Sequence, residues 1–233
     1  MTELMRRRRA LMEVAANSGT PITTLTAGSA VKVLENGSLA NFVYIGTNSA
    51  GNALLLRAEV LSTQKAFNSQ SQKPEYENCQ IDTWLTGTIL QYYTGLTNYL
   101  VNSDITYANY NDSYVETIKT ISRKIFIPSL YEMGGGGNEG GVNFVSALRT
   151  YTGATSDSNA RKVASGYHQW LRTEYSNSSY QNRVSTVSNL GAVGGTNFQQ
   201  SNSTTPKARP VLSLSPNTPI TTSGSDIIVG GAS

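Results

Sequence analysis

Cysteine and histidine are almost absent from the sequence, since Cys79 and His168 are the only residues of their kinds. A single cysteine excludes a disulfide within the chain and a zinc site built from cysteines. A single histidine excludes metal sites that use several imidazole rings. The chain also lacks the Gly-x-Ser-x-Gly motif of many hydrolases. We therefore expect no enzyme activity and no cofactor.

Charged residues are scarce as well, at 14% of the chain, against roughly a quarter in an ordinary globular protein. Ser, Thr and Asn take their place and make up roughly a third of the chain. The chain also contains 13 Tyr, a residue that is enriched on binding surfaces. No apolar run approaches the roughly 18 residues that a membrane span needs, so we expect no membrane insertion.

The net charge of +3 comes from the N-terminus, where Arg6–Arg9 stand against the single acid Glu3. The rest of the chain is neutral and contains no basic cluster. A protein that binds nucleic acid through its body needs a basic face, so we expect no nucleic-acid partner for the body.

Residues 1–16, MTELMRRRRALMEVAA, place apolar residues at helical spacing around the arginine block. A helix of this length is marginal in water by itself, so we expect it to dock on another protein and to favour a homo-oligomer. The expected docking residues are Leu4, Met5, Arg6, Arg7, Arg8, Arg9, Leu11 and Met12. Contact with nucleic acid through the arginines and a frayed terminus are the alternatives. Residues 17–21 then break the helix, which makes residues 1–20 an arm and linker.

Apolar alternation predicts short antiparallel strands at residues 30–35, 41–46 and 53–61, and later strands at 124–127, 167–172 and 208–215. Between these two groups, Ile81, Leu85 and Ile89 repeat at helical steps and predict one amphipathic helix over residues 78–93, with Asn78 as its N-cap. The segments between are polar and long. The predicted class is α+β, with one main domain over residues 21–218 and a tail over 219–233. Two alternatives are open for the tail: it adds one weak strand at 226–229, or it stays loose.

Four segments carry a resemblance to a known family. They are EYENCQIDTWL (Tyr76, Asn78, Ile81, Trp84, Leu85), KIFIPSLYE (Phe126, Ile127, Pro128, Ser129, Glu132), WLRT (Trp170, Leu171, Arg172) and ARPVLSL (Arg209, Pro210, Leu212, Leu214). In this order they resemble an uncharacterised family of C-type-lectin-like domains from phages, prophages and bacterial surface proteins. The resemblance covers roughly residues 25–215 and implies a C-type-lectin-like fold. The calcium motifs of sugar-binding C-type lectins are missing, so a calcium site is not supported.

The N-terminal RRRRALM segment resembles a leader found on tail and appendage proteins of such phages. Together the two resemblances imply a virion protein that binds other virion proteins through residues 1–16. They also imply attachment to a glycan or protein on the host cell surface, without catalysis. Two alternatives stay open: a purely structural protein of capsid decoration or tail assembly, and a bacterial extracellular adhesion module. Against the adhesion module, the sequence lacks the secretory signal pattern that is expected of an extracellular protein.

Two polar loops, at residues 99–115 and 175–181, are the candidate ligand-binding segments, because Tyr, Asn and Ser are typical of adaptable binding loops. The candidate ligand-binding residues are Tyr99, Tyr107, Asn109, Tyr110, Asn111, Tyr114, Tyr175 and Tyr180. Structural roles are expected for four other residues. Trp84 and Trp170 should pack in the core, and Arg172 and Arg209 should hold strands in place through carboxylates or carbonyls.

Overall fold

The computed structural model describes residues 19–70, 74–110, 116–135, 161–175, 182–194 and 196–230. Thirteen strands lie in these ranges. They are β1 (Thr20–Pro21), β2 (Ala30–Glu35), β3 (Ser38–Thr47), β4 (Ala53–Arg57), β5 (Ser103–Tyr110), β6 (Glu116–Arg123), β7 (Ile125–Phe126), β8 (Gln169–Glu174), β9 (Arg183–Val187), β10 (Phe198–Gln200), β11 (Val211–Leu214), β12 (Pro219–Ser223) and β13 (Asp226–Val229). They form three sheets.

The largest sheet has eight strands in the order β1-β12-β13-β2-β3-β4-β11-β7. All of its pairs are antiparallel except β13 with β2. Its central strand β4 is buried along Ala53–Leu56, which explains the continuous apolar run there. β2 and β3 are joined by Asn36 and Gly37, which both have positive φ, as the two-residue turn of a hairpin requires.

A composite helix follows β4 along the chain. It consists of the α-helix α1 (Gln80–Trp84), a π-helical segment (Leu85–Ile89) and a 3-10 turn (Leu90–Tyr92). Ile81, Leu85 and Ile89 are buried in the core, so the predicted helical periodicity marks the correct face.

The N-cap of α1 is Cys79 rather than the predicted Asn78. The Cys79 sulfur accepts a hydrogen bond from Asp82 N at 3.4 Å, and the Asp82 carboxylate accepts one from Asn78 N at 3.1 Å. Asp82 therefore bonds back to the residues that precede the helix, as in a capping box.

The predicted α+β, C-type-lectin-like class is wrong, because the protein is mostly β. Strands account for 40% and helical segments for 12% of the structure. The main cause is the polar segment at residues 99–115, which was expected to be a loop. It contributes the long strand β5, which pairs with β6. Ile105, Thr106, Tyr107 and Ala108 are all buried, so neighbours cover both faces of β5.

The C-terminal residues also add to the β content. β12 and β13 form a hairpin, and β13 pairs with β2, so residues 219–229 extend the largest sheet instead of forming a separate tail. The strand predicted at 226–229 coincides with β13. Lys32 and Asp226 form an ion pair across the two parallel strands at 2.7 Å.

Several predicted features lie outside the described residues. They are the docking arm with Leu4, Met5, Arg6, Arg7, Arg8, Arg9, Leu11 and Met12, and the candidate ligand-binding residues Asn111, Tyr114 and Tyr180.

The buried side chain of Arg172 in β8 connects the three sheets. Its guanidinium donates to Thr106 O in β5 at 2.7 Å and to Ile127 O, directly after β7, at 2.8 Å. It also forms a two-pronged ion pair with Glu132, and both side chains are fully buried. β8 belongs to the β10-β9-β8 sheet, β5 to the two-stranded sheet and β7 to the largest sheet. The guanidinium of Arg172 thus links β8 to β5 and to the residue that directly follows β7.

Glu132 is itself held by the turn that contains it. Glu132 N donates to Ser129 Oγ at 3.1 Å, and Ser129 N donates to the Glu132 carboxylate at 2.8 Å. This reciprocal pair is the capping box that the sequence S-x-x-E forms at the start of a helical turn. These two bonds orient the carboxylate, so the ion pair with Arg172 needs less additional ordering of the Glu132 side chain.

Removing either partner of this pair should destabilise the fold strongly. We expect Glu132→Gln and Arg172→Met each to lower the free energy of unfolding by about 3 to 5 kcal/mol, because each leaves a buried group unpaired. The double variant should lose clearly less than the sum of the two single losses, since no charge is then left alone. Urea unfolding followed by circular dichroism measures all three values.

The control is Lys32→Met, which removes a half-exposed ion pair and should cost at most about 1 kcal/mol. If the double variant lost as much free energy of unfolding as the two single variants together, the two charges would not depend directly on each other.

Candidate functional site

Tyr107, a candidate ligand-binding residue, lies in the core. Its ring is fully buried in β5 and packs edge-on against Tyr76, with ring centroids 6.0 Å apart. Its hydroxyl donates to a Glu75 carboxylate oxygen at 3.2 Å. Burial and the negative charge of Glu75 raise the pKa of this phenol above its ordinary value. The ring contributes core packing and is not exposed to a ligand.

The other described candidates lie on three separate segments of the chain. Tyr99 is half-buried and packs against the core before β5 begins. Asn109 is half-buried in β5, which ends at Tyr110. Tyr175 follows β8 and its ring lies 4.1 Å from that of Phe198 in β10. These candidates therefore do not share one element of the fold.

The four residues expected to be structural have clear contacts. Trp170 is fully buried and donates from its indole nitrogen to Lys65 O at 3.0 Å, whereas Trp84 is half-buried against the core. Arg209 donates to Arg57 O at 2.8 Å and to a second backbone carbonyl. Arg172 has the carboxylate and carbonyl partners described above.

The segments on which the family resemblance depends meet inside the protein. Ile127 N donates to the Tyr76 hydroxyl at 3.3 Å, and Ile127 O accepts from Arg172. Phe126 in β7 pairs with Val211 in β11. These contacts join EYEN, KIFIPSLYE, WLRT and ARPVLSL into one buried network. Their pattern in the sequence therefore reflects the fold.

The acidic side chains of the described region are largely engaged in structural bonds. Five of them form ion pairs, which are Glu35–Arg57, Glu75–Lys119, Asp82–Arg123, Glu132–Arg172 and Asp226–Lys32. Cys79 is buried, and that burial raises the pKa of its thiol to about 12. A thiol with this pKa is protonated at neutral pH and is a poor nucleophile.

An open groove of about 510 Å³ lies beside the composite helix. Its volume falls within the range of small-molecule sites, roughly 300 to 1,000 Å³. It is lined by Thr86, Gly87, Leu90, Gln91, Thr94, Thr97, Leu100 and Lys124. The floor is apolar at Leu90 and Leu100, and the remaining side chains are hydroxyls, one amide and one ammonium. A few polar groups around an apolar floor are the usual form of a ligand site.

The ammonium of Lys124 is unpaired within the described part of the chain. The preceding residue, Arg123, forms a two-pronged ion pair with Asp82 at 2.8 and 3.0 Å, so that acid is occupied. Lys124 is half-buried, and only its backbone oxygen is engaged, by Ser213 N. The groove therefore presents a positive charge that the fold does not use.

The π-helical segment forms one wall of this groove. Leu90 N donates to Leu85 O, the i to i−5 bond of a π-helix, and Thr86 and Gly87 from this segment line the groove. A Cβ added at Gly87 would meet no atom within 4 Å, so the space above this residue is open. Short π-helical segments occur frequently at functional sites.

A second, smaller hollow of about 250 Å³ has a different character. It is lined by Asn48, Ser49, Ala50, Asn102, Ser103 and Asp104. Asn48 donates to the Ser103 hydroxyl at 2.7 Å, and that hydroxyl is also bonded to Ser213 at 2.6 Å. Much of its polar capacity is already used within the protein, so the groove beside the composite helix is the better candidate.

A family model for a domain of unknown function, DUF6273, matches residues 50–216. The chain belongs to this family. No curated protein matches the chain, and no solved structure does. The matched region contains both the Arg172–Glu132 network and every residue that lines the groove.

The described residues contain neither a cluster of metal ligands nor a helix that could span a membrane. No three side chains of His, Cys, Asp or Glu lie together there in a way that could hold a metal ion. None of the helices in the same ranges is long and apolar enough to cross a membrane.

Sequence reasoning missed most of the groove. The predicted ligand loop at residues 99–115 includes Leu100, but Thr86, Gln91, Thr94, Thr97 and Lys124 were not predicted as site residues. One signal was available: Gly87 interrupts the predicted helix, where glycine costs about 1 kcal/mol relative to alanine and calls for a reason.

Gly87→Ala should stabilise the protein by about 0.5 to 1 kcal/mol, because alanine has the higher helix propensity and the added Cβ meets nothing. The matched control is Gly230→Ala, which should be destabilising. Gly230 has a φ of 95°, and a Cβ there would lie 2.7 Å from Leu96 Cδ2. Urea unfolding compares the two variants. A loss of stability in Gly87→Ala would show that this helical position requires glycine.

Glu59 should give a local pH response. Burial raises the pKa of its carboxyl group, but hydrogen bonds from Ser165 and Ala164 and the charge of Arg209 outweigh this effect, so the pKa is lowered. The bonds to Ala164 and Ser165 should persist above pH 4.5 and be lost as the pH falls through the lowered pKa of the folded state. The amide NMR shifts of Ala164 and Ser165 follow this transition. It should be missing in Glu59→Gln, and an unchanged transition there would assign it to another group.

Proposed function

We propose that this protein is a non-catalytic attachment protein of a phage particle that binds a glycan on the surface of the host cell. The observation that carries the binding part of the proposal is the groove beside the composite helix. It combines an apolar floor, three hydroxyl groups, one amide group and an ammonium that is unpaired within the described residues. Sugars have apolar C–H faces, many hydroxyl groups and, in acidic sugars, a negative charge.

The state of the reactive side chains supports binding without catalysis. The buried Cys79 is protonated at neutral pH, and ion pairs hold Glu35, Glu75, Asp82, Glu132 and Asp226 in structural roles. A pair of carboxylates for glycoside hydrolysis must face one cleft. The residues that line the groove include no acid.

The virion part of the proposal is supported by the N-terminal sequence. Residues 1–16 combine an arginine block with apolar helical spacing, and they resemble leaders of phage tail and appendage proteins. In this proposal the arm binds other virion proteins and favours a homo-oligomer. Several copies on one particle would add avidity to a weak sugar site.

The virion location is tested by antibody labelling of particles from the strain that encodes the protein. Label at a tail tip or fibre, seen by electron microscopy, is the expected result. Label over the capsid would favour decoration of the particle as the function. Particles without label would contradict the virion location, and the bacterial adhesion module would then become the leading alternative.

The attachment function is tested with the full-length protein and host cells. Fluorescently labelled protein should bind the cells, and mild periodate oxidation of the cells should abolish the binding because it destroys sugar diols. Protease treatment of the cells is the control and should leave binding intact. Loss of binding after protease alone would replace the glycan with a protein receptor, and the absence of any binding would contradict attachment.

A further inference from the structure

We propose that the groove beside the composite helix binds a carboxylated sugar, a uronic acid, whose carboxylate pairs with the ammonium of Lys124. This inference rests on the proposed glycan-binding function and names the class of sugar. It makes Lys124 the residue that determines specificity for an acidic over a neutral sugar.

Lys124 differs from the other described lysines because it combines an unpaired ammonium with a position in the groove. Lys32 and Lys119 are paired with Asp226 and Glu75, and Lys207 donates to Ser62 O at 3.0 Å. Lys65 also has no side-chain partner in the described ranges, but it does not line the groove. Lys124 is half-buried yet has no partner in the residues described, and it faces a groove. A partly buried ammonium interacts with an anion more strongly than an exposed one, because solvent screens it less.

The single positive charge in the groove favours a ligand with a single negative charge. The groove lining contains one ammonium and neither arginine nor histidine. A singly charged carboxylate balances one ammonium. Phosphate groups, with up to two charges and several acceptor oxygens, are typically held by arginine forks or by clusters of backbone N–H groups. The charge in the groove therefore favours a carboxylate.

The polar side chains of the groove can form hydrogen bonds with the hydroxyl groups of a ligand. Thr86 Oγ1 donates to Asp82 O at 2.8 Å, and Thr97 Oγ1 donates to Thr94 O at 2.9 Å. With their protons used, these two oxygens accept hydrogen bonds from a ligand. Gln91 and the Thr94 hydroxyl are not engaged within the described residues, so each can both donate and accept. Sugar hydroxyls, which also donate and accept, match this set.

The floor of the groove is apolar and can pack against a sugar ring. Leu90 and Leu100 supply the apolar part of the groove, against which the C–H face of a pyranose ring can pack. The groove is open to solvent, so one sugar of a longer chain can enter it while the rest of the chain continues outside. This geometry suits a residue within a surface polysaccharide.

The direct test uses the full-length protein and three sugars. Methyl β-D-glucuronoside and methyl β-D-glucoside differ only in a carboxylate in place of a hydroxymethyl group, and glucose 6-phosphate carries a phosphate instead. NMR titration should show the glucuronoside binding about tenfold more tightly than the glucoside, the effect of one charge-assisted hydrogen bond. Equal affinities for these two sugars, no binding of either, or tighter binding of glucose 6-phosphate would each overturn the proposal.

Two variants locate the site. Lys124→Met should reduce the preference for the glucuronoside to near unity, whereas Lys65→Met is the matched control. Lys65 is another lysine without a side-chain partner in the described ranges and does not line the groove, so its variant has the same net charge. Gly87→Leu should block binding of both sugars, since the added side chain enters the open space above Gly87. Unchanged affinities in Lys124→Met and Gly87→Leu, with folding confirmed by circular dichroism, would overturn the assignment.

The cell-binding experiment separates this inference from the function on which it rests. If wild-type protein binds periodate-sensitive sites on cells and Lys124→Met and Gly87→Leu bind equally well, attachment stands and the groove is not its site. If wild-type protein binds the glucuronoside but no cells, the groove assignment stands and the attachment function fails. Loss of cell binding in both variants but not in Lys65→Met supports the two together.

Discussion

The buried guanidinium of Arg172 is the constraint on which the arrangement of the three sheets depends. A charge without solvent must be paired and fully hydrogen-bonded, because an unpaired buried charge costs several kcal/mol. Here the partners are Glu132 and the backbone oxygens of Thr106 and Ile127. Arg172 lies in β8, Thr106 lies in β5 and Ile127 directly follows β7, so the three sheets must be arranged such that both backbone acceptors reach one planar donor group. The ion pair therefore contributes specificity of arrangement, whatever its net contribution to stability.

The sequence predicted those parts of the fold that depend on local pattern. Strand β2 has the predicted bounds, since alternating apolar residues and the Asn36-Gly37 turn define it. β13 also coincides with its predicted range, which is a short apolar run. The segment around Tyr107 was predicted wrongly, because its Tyr, Asn and Ser content is typical of a loop. Its burial depends on Glu75, which lies 32 residues earlier and satisfies the phenol hydroxyl. A partner that distant leaves no mark in the local sequence pattern, so only the assembled fold reveals the strand.

The candidate site was hidden from sequence reasoning for a related reason. Its residues come from the composite helix, the turn that follows it and the connection between β6 and β7. Lys124 differs from its neighbour Arg123 only after folding, when Asp82 pairs with the arginine and leaves the lysine alone. Which of two adjacent cations is available to a ligand is a property of the tertiary structure. Only Gly87, an unfavourable residue within a predicted helix, gave a local sign of the groove.

The network around Arg172 and the groove use different residues, and this separation bears on function. Lys124 is the first residue of the KIFIPSLYE segment, in which Phe126, Ile127 and Glu132 are fully buried. Lys124, by contrast, lines the groove. Substitutions along the rim can therefore change the ligand without disturbing the ion pair that positions the sheets. The family model covers both the network and the groove. In the function that we propose, the choice of sugar depends on a few side chains beside the network, and the charge of Lys124 is the first of them.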